Sequence, residues 1–193
     1  MIFEASLVRL FFEVNQFYVL QQNQGSSGLP KKIGEGSLIK IKNNDYADRE
    51  KLTGFQIFVG DLVKVNFAEV LVRNYHPEKT YPKTFKNSKK LRDLLKKDIQ
   101  KYGNTPLFSE QEESSLKILV VPSLPSDSVY REELENFLKG VGVQAILSYR
   151  TIVENLLKKV DFNKQFPKDS LLETLRILKI YDLIKDPQLE LFR

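Results

Sequence analysis

Cysteine is absent from this chain, and histidine occurs once, as His76. Without cysteine there is no disulfide, no thiolate nucleophile and no cysteine-ligated zinc. A single imidazole rules out any site that needs two from one chain, which disfavours the zinc hydrolases. A metal would have to be a hard cation held by carboxylates, and magnesium suits that best. Long apolar runs are missing as well, since none approaches the ~20 residues of a membrane-spanning helix. The apolar opening, MIFEASLVRLFFEV, is interrupted by Glu4, Arg9 and Glu13 at helical spacing and has no small-residue cleavage site. It reads as an amphipathic helix rather than a signal peptide, so a cytoplasmic protein with no membrane partner is expected. There is no GxGxxG, no GxxxxGK[ST] and no GxSxG, which removes the familiar nucleotide-cradling loops and the nucleophile elbow.

What is present fits an ordinary globular chain: 193 residues, 41% hydrophobic and 28% charged, enough for one sizeable core. The net charge is +5, and it is concentrated. Residues 72 to 101 hold ten Lys or Arg against three acids. Such a run is either a solvated helix face or a surface that displaces counterions from nucleic acid. On the second reading Lys79, Lys83, Lys86, Lys89 and Lys90 hold phosphates, while Tyr75, Tyr81 and Phe85 stack bases or dock on the sheet.

Periodicity assigns the elements. Leu7, Leu10, Phe11 and Val14 form one helical stripe over 4–14, and FYVLQQN follows as a strand. The loop QGSSGLPKKIGEG leads to SLIKIKN, 37–43, whose apolar/basic alternation predicts a half-buried strand. FQIFVGDLV (55–63) and VNFAEVLVR (65–73) read as adjacent strands joined by a tight turn near Val63 and Lys64. The second, nearly continuous in apolar residues, suits a central position. A basic helix is expected over 88–102. LKILVV (116–121), a helix over 126–140 with Gly140 as C-cap, and VQAIL (143–147) make a βαβ unit, so that part of the sheet is expected to be parallel. Helices follow at 150–159 and from Asp169 or Ser170 to about 184, where Ser170 and Glu173 have capping-box spacing. The expected plan is an α/β domain over 1–148, a mixed sheet flanked by helices, with a helical extension over 149–193 packed on it.

That order of elements, with FFEVNQFYVL opening it and the acids of GDLVKVNFAEVLVR beside the central strand, resembles the restriction-endonuclease-like superfamily, known by its PD-(D/E)xK pattern. The resemblance covers residues 1–147 and implies a mixed sheet bearing a magnesium-dependent nuclease site. Carried over by position, Asp61 matches the first acid and Arg73 the lysine. Leu71 stands where the second acid belongs, and Glu69, on the same face of the strand, is the replacement. Asp61 and Glu69 would then hold Mg2+, Arg73 would clamp phosphate, and Glu13 would add a third acid. Each has an ordinary alternative: a turn acid for Asp61, an ion pair with a cation such as Arg73 for Glu69, a wet helix face for Glu13, a surface loop for His76.

Three functions stay open at this stage. One is a magnesium-dependent DNA phosphodiesterase. Another is a catalytically inactive nucleic-acid-binding module on the same fold, with DNA as the expected partner. The third is a protein-interaction role, including homo-oligomerisation, through the apolar C-terminal helices, where Ile180, Leu183 and Ile184 exceed what one face covers.

Overall fold

The computed structural model describes residues 3–21, 37–44, 46, 52–72, 93, 96–97, 115–122, 124–161, 163–166 and 169–184. Helix α1 (Phe3–Val14) buries Ala5, Leu7, Val8, Leu10, Phe11 and Phe12, an apolar stripe broadened by the Phe pair. Arg9 and Glu13 pair at 2.7 Å on its outer side. The helix stops where Asn15 Nδ2 donates to the Phe11 carbonyl and Gln16 takes a left-handed backbone, φ 68°, which turns the chain into the sheet.

The sheet has five strands in sequential order: β1 (Phe17–Gln21), β2 (Ser37–Asn43), β3 (Phe67–Val72), β4 (Leu116–Val121) and β5 (Ala145–Ser148). The β1–β2 and β2–β3 pairs are antiparallel, whereas β3–β4 and β4–β5 are parallel. The chain is therefore of the α/β class with a mixed sheet, and β3 is central, as its apolar run predicts. Helices α2 (Ser128–Gly140), α3 (Tyr149–Lys159) and α4 (Ser170–Ile180) accompany the sheet. No helix among the described residues is long and apolar enough to cross a membrane.

Strand alternation divides the core in two. One face, carrying Ile39, Ile41, Ala68, Val70, Ile118, Val120 and Leu147, packs against α1, against Ile152 and Leu156 of α3, and against Leu172 of α4. The other, carrying Leu38, Leu71, Leu119, Val121 and Ile146, packs against Leu134 and Leu138 of α2. Burying an aliphatic side chain of this size contributes about 1.5–3 kcal/mol, so these two layers dominate stability.

The first expected hairpin strand is not a strand. Val59–Lys64 form a 3-10 helix, and the residues ahead of it lie along β5 instead. The Ile57 amide donates to the Ile146 carbonyl at 2.9 Å, and the Ile146 amide to the Phe55 carbonyl at 2.8 Å. The reason is local. Asp61 accepts the Phe58 amide at 3.0 Å, closing a turn at Gly60, and of the apolar residues in the turn only Leu62 is buried. Asn43 Nδ2 then ties the turn down by donating to the carbonyls of Leu62 and Val65.

Two helix ends also differ from expectation. Gly140 is the last residue of α2, and the left-handed position belongs to Gly142, φ 92°, where Val143 donates back to Leu138. At the start of α4 Asp169, one of the two expected openers, is the cap and accepts the amides of Leu171 and Leu172. Its far end is the second departure: the helix closes at Ile180 instead of near 184, because Asp182 turns left-handed, φ 54°, and Leu183 donates to the Leu178 carbonyl.

Glu173 is free of the capping-box role and instead accepts the Phe166 amide while pairing with Arg176. The Arg176 hydrogen bond, and then the Phe166 amide, hold its carboxyl below the ordinary value of 4.5. A depressed carboxyl contributes stability that is present above its unfolded-state pKa and lost as pH falls through the folded value. Wild type is therefore expected to be more stable than Glu173→Gln at neutral pH. The two should converge on acidification below about pH 4.5, as read from urea midpoints across a pH series.

Lys179 is the buried cation of α4, and its Nζ donates to the carbonyls of Leu157 (3.0 Å) and Val160 (3.2 Å) at the end of α3. A positive charge at a helix C-terminus satisfies orphan carbonyls and opposes the helix dipole. Lys179→Met is expected to lower stability by about 1–3 kcal/mol, seen as a fall in urea midpoint at unchanged m-value.

Candidate nucleic-acid interface

Cross-strand register decides what surrounds Glu69. It lies opposite Lys40 on β2 and beside Lys117 on β4, so Lys40, Glu69 and Lys117 form one polar row across the α2-side face. Leu20 extends the row onto β1. Lys40 Nζ sits 2.9 Å from Glu69 Oε1, and the side chains are only 2% and 13% exposed. The next row, Leu38, Leu71, Leu119 and Ile146, is wholly apolar and lies under α2. Leu71 is thus a core residue of the second layer, with no polar atom to offer a metal.

A buried pair of this kind is held by mutual need. Desolvation of each ion costs several kcal/mol, and the partner's charge offsets it only while both remain. Lys40 was the residue hardest to see in the sequence. The alternation in SLIKIKN places it on a wet face with Lys42, yet only Lys42 is exposed. The available signal was complementary: an acid inside the apolar strand 67–72 needs a cation, and a neighbouring strand supplies one.

Asp61 and Glu69 do not lie on neighbouring strands. Asp61 belongs to the 3-10 turn, whose Leu62 joins the α1-side layer, and its carboxylate accepts the Phe58 amide. Glu69 points to the opposite, α2-side layer. Glu13 stands on α1, paired with Arg9, beside a cavity of about 280 Å³ that reaches the start of α4 at Asp169 and Ser170. The sheet separates it from Glu69. A second cavity, about 450 Å³, is lined by Gln56, Phe58, Ser148, Thr151 and Asn155, and by neither acid.

Magnesium asks for convergent oxygen ligands. Among the described residues no group of three or more His, Asp or Glu could hold a metal ion, and both candidate ligands already have partners. Asp61 and Glu69, the two ligands the sequence suggests, are thus engaged elsewhere, with the Phe58 amide and with Lys40. Arg73, Lys79, Lys83, Lys86, Lys89 and Lys90 lie outside the described residues, as do His76, Tyr75, Tyr81 and Phe85.

Three residues of the expected basic helix are described. Asp93, Lys96 and Lys97 are helical, within the helix expected over 88–102. The Lys96 ammonium stands 5.9 Å from the Phe137 ring of α2. No family model, curated protein or solved structure matches the chain. Lys96 lies beside the helix that covers the Glu69 face, and that face adds Lys42 and Lys117.

Proposed function

We propose that the chain binds nucleic acid, DNA in the first instance, through a cationic surface, and that it does so without a metal. The core would be of the restriction-endonuclease-like kind. Support for that lies in the element order: a leading helix, three antiparallel strands, then parallel strands joined through α2, with helices on both faces. The observation that carries the non-catalytic reading is the Lys40–Glu69 pair beside buried Leu71. The carboxylate nearest the expected ligand position is neutralised by a lysine, and the position itself is apolar. Binding rests on the ten cations of residues 72–101, since clustered Lys and Arg release counterions from a phosphate backbone.

A gel-shift and product analysis on one labelled DNA, with magnesium or manganese, separates binding from cleavage. Wild type and Asp61→Ala are both expected to retard the DNA and leave it intact. Cleavage by wild type that Asp61→Ala loses would instead establish the nuclease reading.

One observation favours a second function. Ile177, Ile180, Tyr181 and Leu183 are all exposed at the end of α4, a cluster suited to a protein partner or a second copy. Sedimentation of wild type against Ile177→Ser/Ile180→Ser tests it: a change in mass on substitution supports self-association, and identical monomers remove it.

A further inference from the structure

Beyond the polar row, towards the start of β3, the same sheet face carries a third row. Register aligns Tyr18 of β1 with Lys42 of β2, and Lys42 with Phe67 of β3. Tyr18 is 66% exposed, and Leu20, next along β1 on this face, is 60% exposed. Lys42 is exposed too, with its Nζ 4.8 Å from the centre of the half-buried Phe67 ring. Neighbouring strands lie about 5 Å apart, so the two aromatic rings flank the lysine about 10 Å from each other. Across these two rows the charged groups are Lys40, Lys42 and Lys117 against Glu69, an excess of two cations.

Rings standing on a sheet face beside cations are what unpaired bases need. Every base has a π face that stacks on an aromatic side chain whatever its identity, and a lysine between the rings meets the phosphate that joins stacked nucleotides. A duplex cannot use such rings, because its bases are stacked on one another. We infer that Tyr18, Lys42 and Phe67 form a stacking platform for single-stranded nucleic acid. This rests on the nucleic-acid reading above and narrows its substrate to unpaired strands. The positive excess argues for a polyanion over an added protein strand at the β1 edge, where exposed Tyr18 and Leu20 would otherwise serve.

The test uses the full chain and three labelled probes: oligothymidine, an abasic oligomer of the same length, and a blunt duplex. Tyr18→Ala is expected to weaken oligothymidine binding about tenfold, to leave abasic and duplex binding unchanged, and to keep the salt slope. Tyr18→Phe should bind as wild type does, because the ring remains. Lys42→Gln should weaken oligothymidine and abasic binding alike and reduce the salt slope by about one. If Tyr18→Ala binds oligothymidine like wild type, the platform is refuted while the broader reading stands. If wild type binds none of the probes, both fall. If Tyr18→Ala instead converts a wild-type dimer to a monomer in sedimentation, β1 is a self-association edge and the platform is refuted.

Discussion

Glu69→Leu is expected to destabilise the fold by about 3–5 kcal/mol, because it strands the Lys40 ammonium in a 2% exposed site. That is a large share of the roughly 5–15 kcal/mol that keeps a domain folded. The companion variant makes the prediction specific. Lys40→Met combined with Glu69→Leu removes both charges and replaces them with side chains suited to the flanking row of Leu38, Leu71 and Leu119. The double variant should recover wild-type stability or exceed it, since matched apolar replacements of buried pairs are often neutral or stabilising by about 1–4 kcal/mol. Urea unfolding of the four proteins in the cycle gives the coupling directly. A catalytic carboxylate held ready for a metal would behave in the opposite way. Its removal commonly leaves stability unchanged or improved, as strained functional sites do.

The second large effect concerns binding. Reversing Lys83, Lys86, Lys89 and Lys90 to Glu should weaken DNA affinity at least about a hundredfold at moderate salt. The slope of log affinity against log salt should fall by about three to four, one step per lost phosphate contact. Fluorescence anisotropy over a salt series measures both quantities. Undiminished affinity in the reversed protein would move the binding surface elsewhere.

Much of the fold was legible in the chain because its strands are strongly patterned. SLIKIKN and LKILVV match β2 and β4 residue for residue, and the apolar continuity of FAEVLV marked β3 as central. The βαβ unit followed from its short connections. The misreading at 55–63 has a physical source: apolar content alone does not distinguish a strand from a 3-10 turn. The Gly60-Asp61 pair, with Asp61 turned back onto the Phe58 amide, outweighs the surrounding Val and Phe residues. The helix over 126–140 starts two residues late, at Ser128 after the Asp127 cap, and its left-handed glycine is Gly142 rather than Gly140, because neighbouring residues suit each role equally well.

The candidate site was less legible, for a reason rooted in sheet geometry. Residues 69, 71 and 73 share a face by local alternation, so Arg73 was the natural partner for Glu69. The partner the structure gives it, Lys40, lies 29 positions earlier and is reached only through strand register, which local sequence does not encode. The Tyr18–Lys42–Phe67 row was invisible for the same reason. Its members are scattered along the chain and become neighbours only when three strands align.

The affinity of wild type for oligothymidine, measured in EDTA from low to moderate salt, tests the central claim most directly. Tight binding at low salt that weakens steeply as salt rises, unchanged when magnesium is added at constant ionic strength, is the expected result. Binding that appears only with magnesium, or none in either buffer, would contradict it.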